Sequence, residues 1–160
     1  MISYISLGSN LGEPLLQLQA ALEKLHNDAQ LQLLKVSGFY QSRALTQPDT
    51  APQNDYINAV ARLETSLSPE QLLLKLNEIE ALQGRERNEK WAARTLDLDI
   101  LLYGELRIRT SKLIIPHAQI KFRNFVIHPL FELAGAIELP GLGNLAGLAK
   151  KMHWDGLQKI

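Results

Sequence analysis

The sequence predicts an α+β fold of the ferredoxin-like type, in which helices pack on an antiparallel sheet. The first observation is length, because 160 residues suffice for one domain with a substantial core. The second is that strand-like segments alternate with two segments of helical spacing. The third is their order: strand, helix, strand, strand, helix, strand, which is the order of the split βαβ unit. We therefore expect a single domain over residues 1–160, with helices on one face of the sheet.

The first half of the chain supplies three of the strands. The run MISYISLGS is apolar up to Gly8, which is typical of a buried strand. Leucines then recur at helical spacing after Gly12 and predict the first helix. Residues 32–40 predict a second strand, and the alternating segment 55–64 predicts a third, half-exposed one.

The second helix has the clearest start signal in the sequence. Ser68 is followed by Pro and, three residues later, by Gln71, the pattern of a capping box, and Gly84 ends the segment. An apolar strand then runs to Tyr103, and a further helix is expected around residues 125–134. Segments 41–54 and 84–93 are polar, with prolines in the first and charges in the second, and predict mobile loops beside the site.

The composition excludes several classes of protein. Seventeen basic residues balance seventeen acidic ones, so a broad surface for nucleic acid or acidic membranes is not expected. The absence of cysteine excludes disulfides and thiolate metal sites. No apolar run reaches the length of a membrane span, and the start lacks a leader pattern. We expect a cytoplasmic protein that works as a monomer on small molecules.

The segment KWAARTLDLDILLYG, residues 90–104, carries the candidate catalytic carboxylates. In a strand, Asp97 and Asp99 project from one side, while Leu98 projects from the other. Two neighbouring carboxylates repel each other unless they share a partner, and Mg²⁺ is a suitable one. The alternative is that both line the wet face of an antiparallel strand.

Cations cluster directly before the two aspartates. Arginine presents planar, permanently charged donors that suit phosphate oxygens, and carboxylates for magnesium beside arginines are the parts that phosphoryl transfer requires. A solvated loop with weak ion pairs is the alternative. The cationic residues are Arg85, Arg87, Lys90 and Arg94.

Other polar residues are weaker candidates. His117, Lys121 and Arg123 follow in IIPHAQIKFRNF, although a histidine after proline is often structural. Tyr56 and Asn58 share a face at strand spacing, and an amide can read a heterocycle edge, but an exposed strand face would look the same. The GSNLG turn lacks the Lys-Ser/Thr ending of a Walker A motif and is interpreted as a tight turn.

The segment around the two aspartates resembles the signature of the 6-hydroxymethyl-7,8-dihydropterin pyrophosphokinase family. The resemblance extends over nearly the whole chain and fades after about Glu138. It includes YISLGSNLG, QNDYINAVARLETSLSPEQLL, IEALQGRER and IPHAQIKFRNFVIHPLFELA, in the family's order. It implies transfer of a diphosphoryl group from ATP to the hydroxymethyl oxygen of the pterin, releasing AMP, in folate biosynthesis. It further implies that the hydroxyl attacks the β-phosphorus and that two magnesium ions bridge the nucleotide and the protein.

The resemblance also implies roles for individual residues. Asp97 and Asp99 would ligate both metal ions. The residues implied as catalytic are Arg85, Arg94, Asp97 and Asp99. Those implied in ATP binding are Asn77, Glu80, Arg85, Arg87, Arg94, Ile100, Lys112, His117 and Arg123. Those implied around the pterin are Gly8, Ser42, Leu45, Tyr56, Asn58, Trp91 and Phe125.

The sequence departs from the family pattern at a few positions. Ser42-Arg43 stands where Thr-Pro is frequent, Ala118 replaces a common aromatic residue, and Lys112 replaces a frequent arginine. Lys112 keeps the charge and loses the two-pronged geometry of arginine. None of these departures involves the two aspartates or Arg94, so we expect them to affect affinity more than activity.

Other classes of function fit the sequence less well. A metal-dependent nucleotidyltransferase or glycosyltransferase also uses paired aspartates, but further motifs of those classes are absent. In a glycosidase, the arginines would suppress the raised pKa that a general acid needs. A ligand-binding ferredoxin-like module would need neither the metal pair nor the arginine array.

Overall fold

The central element of the protein is a six-stranded antiparallel sheet. The computed structural model describes residues 1–43, 54–84 and 96–160. The strands of the sheet are β1 (Ile2–Ser9), β2 (Leu31–Val36), β3 (Tyr40–Ser42), β4 (Tyr56–Thr65), β5 (Asp97–Tyr103) and β10 (Leu157–Lys159). Two small hairpins are β6 (Ile108–Arg109) with β7 (Ile114–Ile115), and β8 (Glu138–Leu139) with β9 (Gly143–Asn144). The helices are α1 (Pro14–Asn27), α2 (Pro69–Leu82), α3 (Asn124–Ala134) and α4 (Leu145–Lys151), with a 3₁₀ turn at Ile120–Phe122.

The strand order places β1 between β4 and β5 at the centre of the sheet. The order is β10-β3-β4-β1-β5, and β2 pairs with β4 as well. β2 and β3 share one edge of β4, because β2 pairs with its residues 61–65 and β3 with its residues 56–58. All of these pairings are antiparallel.

Helices α1 and α2 cover one face of the sheet. Their leucines meet Ile5 and Leu7 of β1 and Leu98 of β5 in a continuous buried cluster. The predicted capping box at the start of α2 is confirmed: the Ser68 hydroxyl accepts from the backbone N–H of Gln71, and the Gln71 side chain accepts from that of Ser68. This layer is the one that the ferredoxin-like pattern predicts.

Helices α3 and α4 cover part of the opposite face. Ile127 and Leu130 of α3 pack on Tyr4, Val60 and Leu101 of the sheet in a second buried cluster. The sequence predicts helices on one face of the sheet. This is correct for α1 and α2, but α3 and α4 form a second layer on the other face. Among the described helices, none has the length and apolar character needed to cross a bilayer.

The predicted strand over residues 32–40 is two strands in the structure. β2 ends at Val36 and β3 begins at Tyr40. Between them Ser37 turns its hydroxyl to the backbone N–H of Val60 at 2.9 Å, and its own N–H donates to the carbonyl of Val60 at 2.9 Å. Because this buried serine bonds to β4 through its side chain, the regular ladder is interrupted there.

The two predicted loops are only partly described. Gln41 and Ser42, placed at the start of the first loop, belong to β3 instead, where they pair with Ile57 and Tyr56. Residues 44–53 and 85–95 lie outside the described ranges. The predicted mobility of segments 41–54 and 84–93 stays a prediction.

Candidate active site

Three adjacent strands place a row of polar positions at one end of the sheet. Gly8 of β1 lies opposite Asn58 of β4 on one side and Asp97 of β5 on the other. Ser6, two residues earlier, lies opposite Asp99. Since directly opposed residues project from the same face of a sheet, these side chains share the face on which α3 packs.

The two aspartates alternate with core residues, as the sequence predicts. Asp97 and Asp99 are partly exposed, whereas Leu98 and Ile100 are buried among the residues of the α1–α2 layer. The exposed fraction of the Asp99 side chain is 37%. The two carboxylates therefore stand on the open side of a strand whose other side is anchored in the core.

Glu80 of α2 is buried beneath this strand. Its exposed fraction is 1%, and its Oε2 accepts a hydrogen bond of 2.9 Å from the backbone N–H of Leu98. Leu98 lies between the two aspartates, so Glu80 fixes the backbone that carries both of them. Asn77 lies about one turn earlier on α2 and is half-buried. The implied contact of Glu80 and Asn77 with the nucleotide stays a prediction.

His117 faces the aspartates from the segment after β7. Its backbone N–H donates to the carbonyl of Leu101 at 3.0 Å, and its Nε2 lies 3.9 Å from Oδ2 of Asp99. Its Nδ1 accepts from the backbone N–H of Gln119 at 3.1 Å. In the neutral ring the proton is therefore on Nε2, the nitrogen that faces Asp99.

The charge state of His117 reflects its neighbours. Burial lowers the pKa of His117 below its ordinary value, the positive charge of Arg123 lowers it further, and the negative charge of Asp97 opposes both. Arg123 and Asp97 thus lie within electrostatic reach of the same imidazole. A neutral His117 ring can donate a hydrogen bond to a phosphate oxygen. Because it carries no charge, it does not repel the neighbouring guanidinium of Arg123.

Arg123 and Phe125 flank the first residue of α3. The Cζ atom of Arg123 lies 5.7 Å from the centroid of the Phe125 ring, a cation–π geometry that orients both side chains. Phe125 is half-buried, so part of its ring stays accessible.

The predicted pterin-binding residues of β1, β3 and β4 also come together. Asn58 is buried, and its Nδ2 donates to the Ser42 hydroxyl at 2.8 Å and to the Tyr40 carbonyl at 3.3 Å. A Cβ atom on Gly8 would lie 3.4 Å from Oδ1 of Asn58 and 3.6 Å from Cδ1 of Tyr56. The lack of a side chain at Gly8 leaves space between the Asn58–Tyr56 group and Asp97.

Other predicted residues lie elsewhere or outside the description. Ile100 is buried on the α1–α2 side of the sheet, so the structure does not bring its side chain to the face of the aspartates. Lys112 is exposed in the turn between β6 and β7. The predicted residues outside the described ranges are Leu45, Arg85, Arg87, Trp91 and Arg94, together with Lys90.

Two polar features were not singled out from the sequence. Asn10 is fully buried at the end of β1, and its Nδ2 donates to the carbonyl of Asn54 at 3.1 Å. A cavity of about 430 Å³ adjoins His117, and its lining adds Arg107 and Arg109 to the predicted candidate Lys121. The sequence shows a polar residue directly after a strand and arginines at alternate positions of a hairpin segment. Only the fold shows that Asn10 is buried and that the arginines line a cavity beside His117.

The donor set fits a magnesium ion that is shared with a nucleotide. Within residues 1–43, 54–84 and 96–160, no three His, Asp or Glu side chains are grouped as metal ligands. Mg²⁺ commonly takes only one or two protein carboxylates and completes its octahedron with phosphate oxygens and water. Two partly exposed carboxylates on one strand face meet this requirement, whereas a closed protein cage would not.

A sequence model described as 7,8-dihydro-6-hydroxymethylpterin-pyrophosphokinase (HPPK) matches residues 4–135. The chain belongs to the HPPK family. Its match covers β1 to α3, and thus every described residue of the candidate site.

Relatives of the HPPK family match over most of their length. A 2-amino-4-hydroxy-6-hydroxymethyldihydropteridine pyrophosphokinase of Haemophilus influenzae is 48% identical over 149 residues, which cover 93% of this chain and 91% of the relative. The enzyme of that name from Pseudomonas aeruginosa is 41% identical over 157 residues, covering 98% of this chain and 95% of the relative. That from Bacillus subtilis is 39% identical over 137 residues, with 86% and 80% covered.

Solved structures with HPPK in their titles share the fold. A Plasmodium falciparum HPPK-DHPS structure, wild type with pteroate, superposes with a TM-score of 0.74 at 12% identity. It is matched over 94% of this chain and 42% of its own. A structure described as HPPK-DHPS in complex with substrates gives a TM-score of 0.72 at 11% identity, with 93% and 42% covered. This chain spans less than half the length of those chains, and the likeness concerns the fold alone.

Proposed function

We propose that this protein transfers the diphosphoryl group of ATP to the hydroxymethyl oxygen of 6-hydroxymethyl-7,8-dihydropterin, giving AMP and the pterin diphosphate in folate biosynthesis. The oxygen of the hydroxymethyl group forms a bond to the β-phosphorus, and the bond from that phosphorus to the α,β-bridging oxygen breaks, which releases AMP with that oxygen. The hydroxyl proton passes to solvent water. The observation that carries the proposal is the row of Asp97, Gly8 and Asn58 on adjacent strands, in a chain of the HPPK family.

The two aspartates are the proposed ligands of Mg²⁺. Bound magnesium supplies charge neutralisation and orientation of the phosphates, the main needs of phosphoryl transfer. The carboxylates themselves hold the reacting groups on the open face of β5, and the Glu80–Leu98 hydrogen bond keeps the strand that carries them in place. The number of ions, two by resemblance, is part of the proposal.

The cationic side of the site stabilises the polyphosphate. The Nε2 of His117 faces Asp99, and the positive charge of Arg123 acts on the same imidazole, so both side chains are proposed donors to the polyphosphate. Arg85 and Arg94 are the further proposed catalytic cations, Arg87 and Lys90 are proposed helpers, and Lys112 is a proposed ATP-binding residue. Their support comes from the sequence pattern.

The pterin is proposed to occupy the space beside Gly8. Phe125 offers an aromatic face, and Trp91 is the proposed partner on the other face of the ring. Ser42 and Tyr40 hold the Asn58 amide through its Nδ2, which directs Oδ1 towards the space at Gly8. An amide oxygen in a buried position suits the N–H groups of a pterin edge. Leu45 and Tyr56 complete the proposed pocket.

The experiment combines purified protein, Mg²⁺, ATP and the hydroxymethyl dihydropterin, and quantifies nucleotides and pterins by chromatography. AMP and pterin diphosphate should appear in equal amounts and only when all components are present. A 6-methyl dihydropterin, which lacks the attacking hydroxyl, is the matched control. Release of ADP would indicate transfer of a single phosphoryl group, and release of pyrophosphate would indicate nucleotidyl transfer. Either result, or pterin binding without turnover, would contradict the proposal.

The assembly and location of the protein are further parts of the proposal. We propose a cytoplasmic monomer that binds ATP and the pterin, and the balanced charge of the sequence is consistent with small-molecule substrates. Light scattering at the enzyme concentration of the assay tests the first part, because a dimer would give twice the mass.

A further inference from the structure

The segment after α4 connects two elements that carry the walls of the proposed pterin pocket. One wall is on β3, where Ser42 holds Asn58. The other is at the start of α3, where Phe125 lies. These elements are far apart in the sequence, and the segment from Met152 to β10 contacts both. Its contacts with each are specific and polar.

The first contact is a hydrogen bond from Asn124. This residue is 8% exposed, and its Nδ2 donates to the backbone carbonyl of Asp155 at 2.9 Å. Asn124 lies between Arg123 and Phe125, the proposed phosphate and pterin contacts. An amide held to a backbone carbonyl at this position limits rotation of the first turn of α3.

The second contact is one turn further along α3. The Nε2 of His128 lies 3.2 Å from the carbonyl of Met152 and 3.1 Å from that of His153. The His128 ring stacks on Trp154, with centroids 3.7 Å apart and planes inclined by 13°. Residues four apart lie on the same face of a helix, so the segment docks along one stripe of α3.

The third contact joins the segment to β3. Leu157 of β10 pairs with Ser42, and Lys159 pairs with Tyr40. Gly156 has a φ of +70°, and a Cβ atom there would lie 3.3 Å from Nε of Arg43. Only glycine adopts this backbone freely, so the turn between Asp155 and β10 is tightly fitted against β3.

We propose that Asn124 is a positioning residue for the pterin: through the Asp155 carbonyl and the turn at Gly156 it sets the start of α3 relative to β3, and so sets the distance between Phe125 and the Ser42–Asn58 pair. The inference rests on the proposed function. The turn, residues 154–157, acts as a brace, because it is closed by its own hydrogen bond from the N–H of Leu157 to the Trp154 carbonyl at 3.0 Å.

The test measures pterin affinity in variants of both ends of the brace. Asn124→Ala and the isosteric Asn124→Asp remove the donor, and we expect each to raise the Kd for the pterin about tenfold, within the effect of leaving one buried polar group without its partner. Gly156→Ala strains the turn from the side of β3 without touching α3 and should act in the same direction. Affinity is measured by fluorescence titration, well below the Tm of each variant.

Two controls separate positioning from general loosening. Gly147→Ala adds a methyl group in α4, where nothing lies within 4 Å, and Lys150→Met replaces an exposed side chain of the same helix. Both should keep the wild-type Kd within about twofold, since surface substitutions away from packed contacts have small effects. If the Asn124 variants do not fold, Gly156→Ala decides.

The outcomes distinguish the inference from the proposed function. If the wild-type protein fails to bind the pterin, the proposed function is wrong. If it binds, and the Asn124 and Gly156 variants bind equally well while their Tm values fall, the brace only stabilises the fold and the inference is overturned. Weaker binding in these variants, with unchanged binding in both controls, supports it.

Discussion

The two faces of the sheet are built from the same strands and differ sharply. On the α1–α2 face, β1, β4 and β5 present apolar side chains to one buried cluster, from Tyr103 to Leu98 in β5. On the other face the apolar residues stop part-way along the strands, at Val60 and Leu101. Beyond them lie Asn58 and Gly8, which are buried, and Asp97, which is partly exposed.

This difference shows how one strand can carry polar site residues on one face while its other face stays packed in the core. Each carboxylate of β5 is adjacent to a residue buried on the opposite face, so the core holds the backbone while the acids remain accessible. Burial of a side chain such as Leu98 contributes about 1.5–3 kcal/mol, which stabilises a strand that also bears two like charges. The polar residues at this end of the sheet are therefore confined to the face opposite α1 and α2.

The largest expected effect comes from removing the carboxylates of the open face. Asp97→Asn and Asp99→Asn should each lower kcat at least about a hundredfold, because ligands of a phosphate-bound metal act directly on the developing charge. The Tm should change little, since both side chains are partly exposed. Asp28→Asn, which alters an acid paired with Lys75 at 3.0 Å, is the control and should keep its activity. Near-normal turnover in either aspartate variant would show that this carboxylate is not needed for catalysis, and would contradict the assignment of the site to this face of the sheet.

A smaller effect is expected where the core face supports the open face. Glu80→Leu leaves the buried N–H of Leu98 without its acceptor and should lower the free energy of unfolding by about 1–3 kcal/mol. Glu80→Gln keeps an acceptor and should lose less. Glu78→Leu, at an exposed position of the same helix, is the control. Urea denaturation measures the free energy of unfolding of each variant. Equal stability of Glu80→Leu and Glu80→Gln would show that this hydrogen bond does not stabilise the fold.

Substitutions at Gly8 test whether the space beside this residue is needed for pterin binding. Gly8→Ala places a methyl group at the contact limit of Asn58 and Tyr56, and Gly8→Val exceeds it. Overpacking at such a position costs about 1–3 kcal/mol, so the Kd for the pterin should rise several-fold with valine and less with alanine. ATP affinity, measured in parallel, should stay unchanged. Equal loss of both affinities would indicate that Gly8 lies between the two ligands.

The smallest expected effect is a pH dependence at His117. Because its pKa is lowered in the folded protein, the unfolded chain binds this proton more readily. The contribution of the neutral ring to stability is therefore present above the unfolded pKa of about 6.5 and is lost as the pH falls through it to the lowered folded pKa.

His117→Gln should weaken that dependence. Without metal, the free energy of unfolding of the wild type should fall more steeply than that of the variant below about pH 6.5. Arg123, Asp97 and Asp99 face the ring, and they remain in both proteins. Parallel slopes would mean that the pKa of His117 is the same in the folded and the unfolded protein.

The sequence predicts well what local patterns control. Alternation in LDLDI predicts that Asp97 and Asp99 stand on one face, and the capping box predicts the start of α2, and both are confirmed. The family resemblance is likewise confirmed by the match over residues 4–135. These features depend on residues a few positions apart, so the sequence displays them directly.

Features that depend on distant partners were missed. The break at Ser37 follows from a hydrogen bond to β4, and the three-residue strand β10 exists because β3 offers it an edge. The role of Asn124 depends on a carbonyl 31 residues away. Neither length nor periodicity of the local sequence indicates such contacts. The roles of Arg85, Arg94 and Trp91 stay predictions.

The hydrogen bond between Glu80 and Leu98 joins two points that are 18 residues apart along the chain. The bond closes a loop of polypeptide between α2 and β5, so the entropy of bringing the two ends of that loop together is lost once, when the chain folds. The backbone that carries Asp97 and Asp99 is thereby joined to a helix on the opposite face of the sheet.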